Sequence, residues 1–309
     1  MGVTSPHDFF FASMYQGGFM EKKKILVQFD PDLHASVFDR VVAIDSGVDE
    51  LFSYSNVQPE QVRDLVHGAI FTRGPKDLKN TALFIGGANV EKSEKLMEKS
   101  LAAMVPQFGL RVSVLFDANG CNTTAAAAVR TAAKTLDLNG KKALILAGTG
   151  PVGQRAALLL AKLGAQVLLS SRTLEKAQFA VLSLAKKIGE SPSPIAVQIA
   201  NEDELVKSLK GVELVISTGA AGVSLLPEKI RKAIDSLKMV IDLNAVPPLG
   251  IEGTSVMDKG LVRDGVVCFG AIGVGDLKMK IHRAAIAALF TANDQVMDAA
   301  EVYEISKGF

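Results

Sequence analysis

The chain has 309 residues, 48% hydrophobic and 22% charged, with a formal net charge of +1. At roughly 100–200 residues per domain that length predicts two domains, and the near-neutral balance gives no electrostatic pull toward nucleic acid or a membrane surface. Two cysteines, Cys121 and Cys268, exclude a disulfide framework and point to a reducing, cytoplasmic setting.

Residues 1–20 differ from the rest. They carry Phe9, Phe10 and Phe11 but no Lys or Arg, and their apolar stretch is too short for a signal peptide. They read as a disordered extension, with Met20-Glu21-Lys22 a natural start ahead of the first strand. No later segment is apolar for long enough to cross a bilayer; the alanine run 125–128 soon meets Arg130 and Lys134.

Ile25–Phe29 predicts a strand, and Val37–Ile44 a helix leading into a strand. Pro59–Val66 reads as a helix with Val62, Leu65 and Val66 on one face. Strands are predicted over Ala69–Thr72, Thr81–Ile85 and Arg111–Phe116. Between the last two lies a helix, Lys92–Val105, with Leu96, Met97, Leu101 and Met104 as a core stripe. Thr123–Thr135 is an alanine-rich helix with Asn122 as its N-cap.

A second alternation follows Gly140. Strands are predicted at Leu144–Ala147, Val167–Ser170, Ile195–Ile199, Leu214–Ser217, Val240–Leu243 and Val266–Phe269. Helices fall at Val152–Leu163, Leu174–Ile188, Glu202–Leu209, Leu277–Phe290 and Met297–Ile305. Strands alternating with helices imply parallel βαβ units. The fold class is therefore α/β: a Rossmann dinucleotide-binding domain over 126–276 and a second α/β substrate domain over 21–125. The helices of 277–309 complete that second domain, and a cleft lies between the two.

Gly148-Thr149-Gly150-Pro151-Val152-Gly153 follows the strand ending at Ala147 and opens a helix bearing Ala156, Leu159, Leu160 and Leu163. In that context Gly148 serves the tight turn, Gly150 the approach of a pyrophosphate, and Gly153 close helix–strand packing. The helix start then presents N–H groups to the anion. A plain strand-turn-helix with structural glycines is the competing reading. NAD enzymes place an acid about 20 residues on to hold the ribose 2′-hydroxyl. Here the strand ends Ser170-Ser171-Arg172, with Lys176 nearby and no acid, which favours the 2′-phosphate of NADP. Arg172 as a mere solvated loop residue is the alternative. Thr218-Gly219-Ala220, Asn244-Ala245 and Gly270 with Ile272 follow further strands and complete the expected cofactor rim.

Several segments together resemble the methylene-tetrahydromethanopterin dehydrogenase family. They are Gln28-Phe29-Asp30, Ser36–Asp39, Thr72–Gly74, Asp117–Ala127, Ala147–Gly153, Asn244–Ile251 and Gly275–Arg283. The resemblance runs from about Lys24 to the C-terminus. It implies reversible hydride transfer between a methylene-tetrahydropterin and NAD(P) in cytoplasmic one-carbon metabolism, with the pterin facing the nicotinamide across a cleft. It implies a homo-oligomer, a trimer or hexamer. The glycine turn and the Ser-Arg strand end resemble the NADP-dependent branch, some members of which also accept methylene-tetrahydrofolate.

The methylene carbon sits between two nitrogens that delocalise the cation left by hydride loss, so no general base is required. The protein's task is to hold the methylene carbon against the nicotinamide and tune the field. No metal site is expected, since His7, His34, His67 and His282 lack ligand spacing. Lys278 is the candidate catalytic cation. Asp117, Asn119, Asn122, Asp30 and His282 are the candidate substrate-binding residues, with Asp39 beside Asp30. For Asn122 and Asp117, helix capping and turn support are the competing roles.

Two other classes stay open. A shikimate- or quinate-type dehydrogenase would share the nucleotide unit. A bifunctional folate dehydrogenase with cyclohydrolase activity needs a lysine in a tyrosine-lysine helix motif, which Tyr54 lacks. A non-catalytic NADP-binding protein would bind cofactor without turnover.

Overall fold

The computed structural model describes residues 22–309; the reading of residues 1–20 lies outside them. Two sheets organise the chain. The first has the order β12-β4-β3-β1-β2, every pair parallel. It comprises β1 (Ile25–Phe29), β2 (Glu50–Tyr54), β3 (Thr81–Ile85), β4 (Ser113–Phe116) and the returning β12 (Val296–Met297). Every residue of β3 and β4 is buried, as expected of strands covered on both faces. The covering helices are α1 (Val37–Asp45), α2 (Val62–Ile70), α3 (Val90–Ala102) and α4 (Cys121–Thr135).

The second sheet runs β10-β11-β9-β8-β5-β6-β7, parallel except for the β10–β11 pair. Its strands are β5 (Lys142–Leu146), β6 (Gln166–Ser171), β7 (Ile195–Gln198), β8 (Leu214–Ser217), β9 (Met239–Asp242), β10 (Lys259–Arg263) and β11 (Val266–Phe269). Read from β7, the parallel strands follow the doubly wound dinucleotide-binding order, with a switch point between β5 and β8. Its helices are α5 (Pro151–Lys162), α6 (Leu174–Ile188), α7 (Glu202–Ser208) and α8 (Glu228–Lys232); α9 (Ala271–Ala288) and α10 (Ala299–Ser306) follow.

One apolar cluster joins the sheets, taking in Phe84 and Leu115 from the first, Ile145 and Ile216 from the second, and Ala125–Ala128 of α4 between them. Alanine's small side chain lets the backbones approach closely there, and the helix runs unbroken through position 125/126, where the domain division was expected. No helix among the described residues is long and apolar enough to cross a membrane.

Several predicted elements are corrected. Ala69–Thr72 is not a strand: it ends α2, whose buried Val62, Val66, Ala69 and Ile70 recur at helical spacing, and Thr72 Oγ1 donates to the Ala69 carbonyl. That helix starts at Val62, with Pro59 in the turn before it. Strand β2 was not predicted, because its half-exposed edge position leaves no run of apolar residues. In α3, Leu96 is fully buried while Leu101 is 36% exposed, so the expected stripe is core only in part. Helix α9 starts at Ala271, six residues before the predicted Leu277, and takes in Gly273 and Gly275.

Candidate functional site

The turn after β5 lies at the carboxyl edge of the second sheet, on the switch point. Its left-handed residue is Ala147 (φ 51°) rather than Gly148. Gly148 is required for room: a Cβ there would sit 3.0 Å from Ile145 Cγ2 and Leu169 Cγ. A Cβ on Gly153 would lie 2.6 Å from the Cα and carbonyl oxygen of Gly148, and 2.7 Å from Thr218 Oγ1, so helix start and turn are in van der Waals contact. Gly150 differs, for a Cβ there would meet no protein atom within 4 Å. Between Thr149 and Pro151, at the N-terminus of α5, the backbone therefore faces open space, which fits an approaching pyrophosphate.

The hydroxyls around the turn are partly committed to building it. Ala147 N–H donates to Ser170 Oγ (3.2 Å), Gly148 N–H to the Ser170 carbonyl (2.8 Å), and Thr218 Oγ1 to the Leu146 carbonyl (3.0 Å). Ser170 thus supports the turn from a buried position. At the end of β6, Ser171 is buried while Arg172 and Lys176 are exposed, leaving two cations at a strand tip without an acid. Gly219 and Ala220 follow β8, and Val152 leans from α5 onto the first sheet's core. Asn244 is turned inward: its amide donates to the Pro248 carbonyl (3.1 Å) and its oxygen accepts from Val246 N–H (2.9 Å). It shapes the loop that exposes Ala245. Gly270 precedes α9 as its N-cap, and Ile272 is 49% exposed beside it.

The first sheet has its own switch point, between β1 and β3. Gln28, Asp30, Gly86 and Asp117 gather at those carboxyl ends. Asp30 is buried and accepts from Asp32 N–H (2.9 Å) and Ser36 N–H (3.0 Å), which shapes the loop into α1. Ser36 caps α1, so Phe38 and Asp39 project from its first turn. Helix α9 then brings two residues over this edge. The Lys278 ammonium lies 4.4 Å from the Phe38 ring centroid, close over the Gly120 turn. His282, one turn later, is fully buried, its ring 5.9 Å from Phe84 and 6.2 Å from Phe38. Its Nε2 is 4.0 Å from a carboxylate oxygen of Asp39 and 4.0 Å from one of Asp117. Both its ring nitrogens, and the Gln28 amide nitrogen, are buried without a hydrogen-bond partner.

Burial dominates the ionisation of this cluster. It pushes Asp117 up to about 6 against the opposing pull of Lys278, and raises Asp39 as well. Burial, with Lys278 and Arg283 nearby, lowers His282 to about 3. The cluster therefore sets two carboxylates whose charged forms burial disfavours beside an imidazole that is neutral at neutral pH, with one N–H to donate.

Asp117 and Asn122 have other duties too. Asp117 Oδ1 accepts from the N–H groups of Asn122 (2.9 Å) and Thr123 (3.0 Å), and its Oδ2 from Thr123 Oγ1 (2.7 Å). The carboxylate, not Asn122, satisfies the start of α4, whose N-cap position is Gly120 at φ 62°. Asn122 is wholly buried and points away from the pocket, toward α5 and α10. Asn119 is exposed in a left-handed conformation in the turn between β4 and α4. Gln28, Phe38 and Phe84 were not singled out as site residues; a glutamine inside the otherwise apolar strand 25–29 was the available signal.

Comparisons with known proteins add to this geometry. Residues 37–119 match the family model described as "Methylene-tetrahydromethanopterin dehydrogenase, N-terminal". The chain is 44% identical over 287 residues to the bifunctional protein MdtA of Methylorubrum extorquens, covering 92% of this chain and 98% of that protein. It is 31% identical over 293 residues to the same organism's NAD(P)-dependent methylenetetrahydromethanopterin dehydrogenase, with the same two coverages. Among solved structures it resembles in fold the shikimate 5-dehydrogenase of Listeria monocytogenes, at a TM-score of 0.50 and 14% identity over 92% of this chain and 96% of that one.

Proposed function

Because the chain belongs to the methylene-tetrahydromethanopterin dehydrogenase family, we propose that it transfers hydride reversibly between methylene-tetrahydromethanopterin and NADP, giving the methenyl cation. The observation that carries this reading is the course of α9. It leaves the cofactor sheet at Gly270 and delivers Lys278 to the first sheet's polar pocket about 12 Å farther along its axis. One rigid helix thereby sets the spacing between the two crevices.

When bound on the open backbone at Gly150, NADP supplies the hydride acceptor. Arg172 and Lys176 favour its 2′-phosphate over the hydroxyl of NAD. The pterin's heterocycle answers the orphaned groups: the Gln28 amide nitrogen and both His282 ring nitrogens are without partners, and a ring carbonyl and ring nitrogens supply what they lack. Lys278 and the exposed Asn119 border the reacting end. As hydride leaves, positive charge develops on the carbon and its flanking nitrogens. The fixed carboxylates of Asp39 and Asp117 stabilise that charge at no reorganisation cost, and Lys278 limits their field so that the product is released. No proton moves in the step, which suits a pocket whose histidine is neutral.

The setting is cytoplasmic, in accord with two buried free thiols, and the assembly is a homo-oligomer, a trimer or hexamer. Mixing the protein, NADP and methylene-tetrahydromethanopterin should produce the methenyl chromophore, with methylene-tetrahydrofolate run in parallel. No absorbance change with either pterin would refute the proposal, and turnover of the folate alone would reassign the substrate.

A further inference from the structure

Arg155 lies one turn into α5, directly behind the glycine turn, and is 8% exposed. Its guanidinium is shared among three elements. Nε donates to the Asn122 side-chain oxygen on α4. Nη2 donates to Glu94 Oε1 on α3 (3.0 Å). Nη1 folds back to the Pro151 carbonyl, the first residue of its own helix (3.3 Å). The group also sits 5.4 Å from the Phe116 ring centroid at the end of β4.

The chain of contacts extends both ways. The Asn122 amide donates to the Phe116 carbonyl and to Asp298 (3.0 Å) at the start of α10, and Asp298 accepts from Lys187 on α6 (2.7 Å). The Asn122 backbone N–H donates to Asp117, which lies against His282. An unbroken series of direct contacts therefore runs from Pro151, in the glycine turn, through Arg155 and Asn122 to Asp117 in the buried polar cluster. Arg155 and Asn122 are buried while Glu94 is half exposed, so the ion pair itself adds little to stability, but the directional bonds of the guanidinium fix geometry.

We propose that Arg155 is a positioning residue for hydride transfer: its planar fork fixes the first turn of α5 against the Asp117–Asn122 loop, and so fixes the distance between the two reacting carbons. This rests on the functional reading above. Misplacement of bound reactants by about 1 Å can cost on the order of a hundredfold in rate.

The test compares Arg155→Met, Arg155→Lys and Glu94→Gln with the wild type. The measurements are binary NADP affinity, single-turnover hydride-transfer rate and thermal midpoint, with kinetics taken well below the midpoint. Arg155→Met should lower the single-turnover rate at least tenfold while the NADP dissociation constant stays within threefold. Arg155→Lys, which keeps the charge but loses the fork, should recover part of that rate, and Glu94→Gln should lower it a few-fold. A rate unchanged in both Arg155→Met and Glu94→Gln, or a fall matched by an equal loss of NADP affinity, overturns the proposal. Should Arg155→Met fail to fold, Arg155→Lys and Glu94→Gln decide by the same criteria. An inactive wild type would overturn both readings, whereas an active wild type with undiminished variants overturns this one alone.

Discussion

Replacing Gly150 by alanine separates the cofactor role of the glycine turn from its structural role. Gly150 has φ −74° and ψ 169°, a conformation alanine adopts freely, and its added methyl would meet no protein atom within 4 Å. Alanine caps a helix less well than glycine but has less unfolded-chain entropy to lose, so the two effects leave a net change of about 0.5 kcal/mol or less. The methyl does occupy the space through which a pyrophosphate reaches the backbone. Losing one hydrogen bond to a charged oxygen costs about 1.5–3 kcal/mol, or a roughly 10–150-fold weaker NADP complex. Gly153→Ala is the contrast. Its methyl would stand 2.6 Å from the Gly148 backbone, where ordinary contact begins near 3.4 Å, and such overpacking costs about 1–3 kcal/mol. NADP titration calorimetry paired with urea denaturation reads both quantities. If Gly150→Ala binds NADP like the wild type, or unfolds as readily as Gly153→Ala, the turn is not where the pyrophosphate lies.

Arg172→Asp should weaken NADP at least tenfold and NAD much less; equal effects would show that Arg172 does not read the 2′-phosphate. Lys278→Ala should lower turnover on the order of tenfold or more with NADP affinity nearly unchanged, and wild-type kinetics would remove it from the site. The pocket also makes a pH prediction. Asp117 rises from 3.8 to about 6 on folding, so its stabilising contribution is full below 3.8 and is lost as pH rises through about 6. His282 falls from 6.5 to about 3, so its contribution is full above 6.5 and is lost as pH falls through about 3. Between about pH 4 and 6 the two slopes oppose. Asp117→Asn removes one, and unfolding free energy should then climb more steeply with pH across that window, by up to about 1.4 kcal/mol per unit. Denaturant curves at several pH values that keep the wild-type slope would show that Asp117 does not titrate there.

Much of the second sheet was legible because β5, β6, β8 and β9 are buried apolar runs and its glycines stand in a recognisable context, whereas the half-exposed edge strand β10 carries no such signal. The first was harder. Strand β2 has one exposed edge and alternates weakly, while Ala69–Thr72 is a short run whose helical character shows only together with Val66 and Val62, one and two turns upstream. At the site, residues at strand ends could be listed from sequence, but the direction of their side chains could not. The expected cap, Asn122, is displaced by Asp117, which satisfies the helix start, and the asparagine turns to a network whose other members, Glu94, Arg155 and Asp298, lie far off in the chain. Gln28 and Phe84 join the pocket only because α9 returns across the first sheet, a long-range contact that local periodicity does not encode.

Strand β12 has a consequence for how the molecule assembles. Val296 and Met297 pair with Val114 and Leu115, and α10 then packs on α4, so the first sheet receives its outer strand only after every strand of the second has been made. During vectorial synthesis the second sheet, contiguous in the chain, has all its strands available first, whereas β4 waits with an open edge. Completion of the polar cluster at the first sheet's switch point, to which α9 brings Lys278 and His282, is therefore tied to the last stage of translation, and a ribosome-stalled chain ending before α9 would hold the glycine turn but not that cluster.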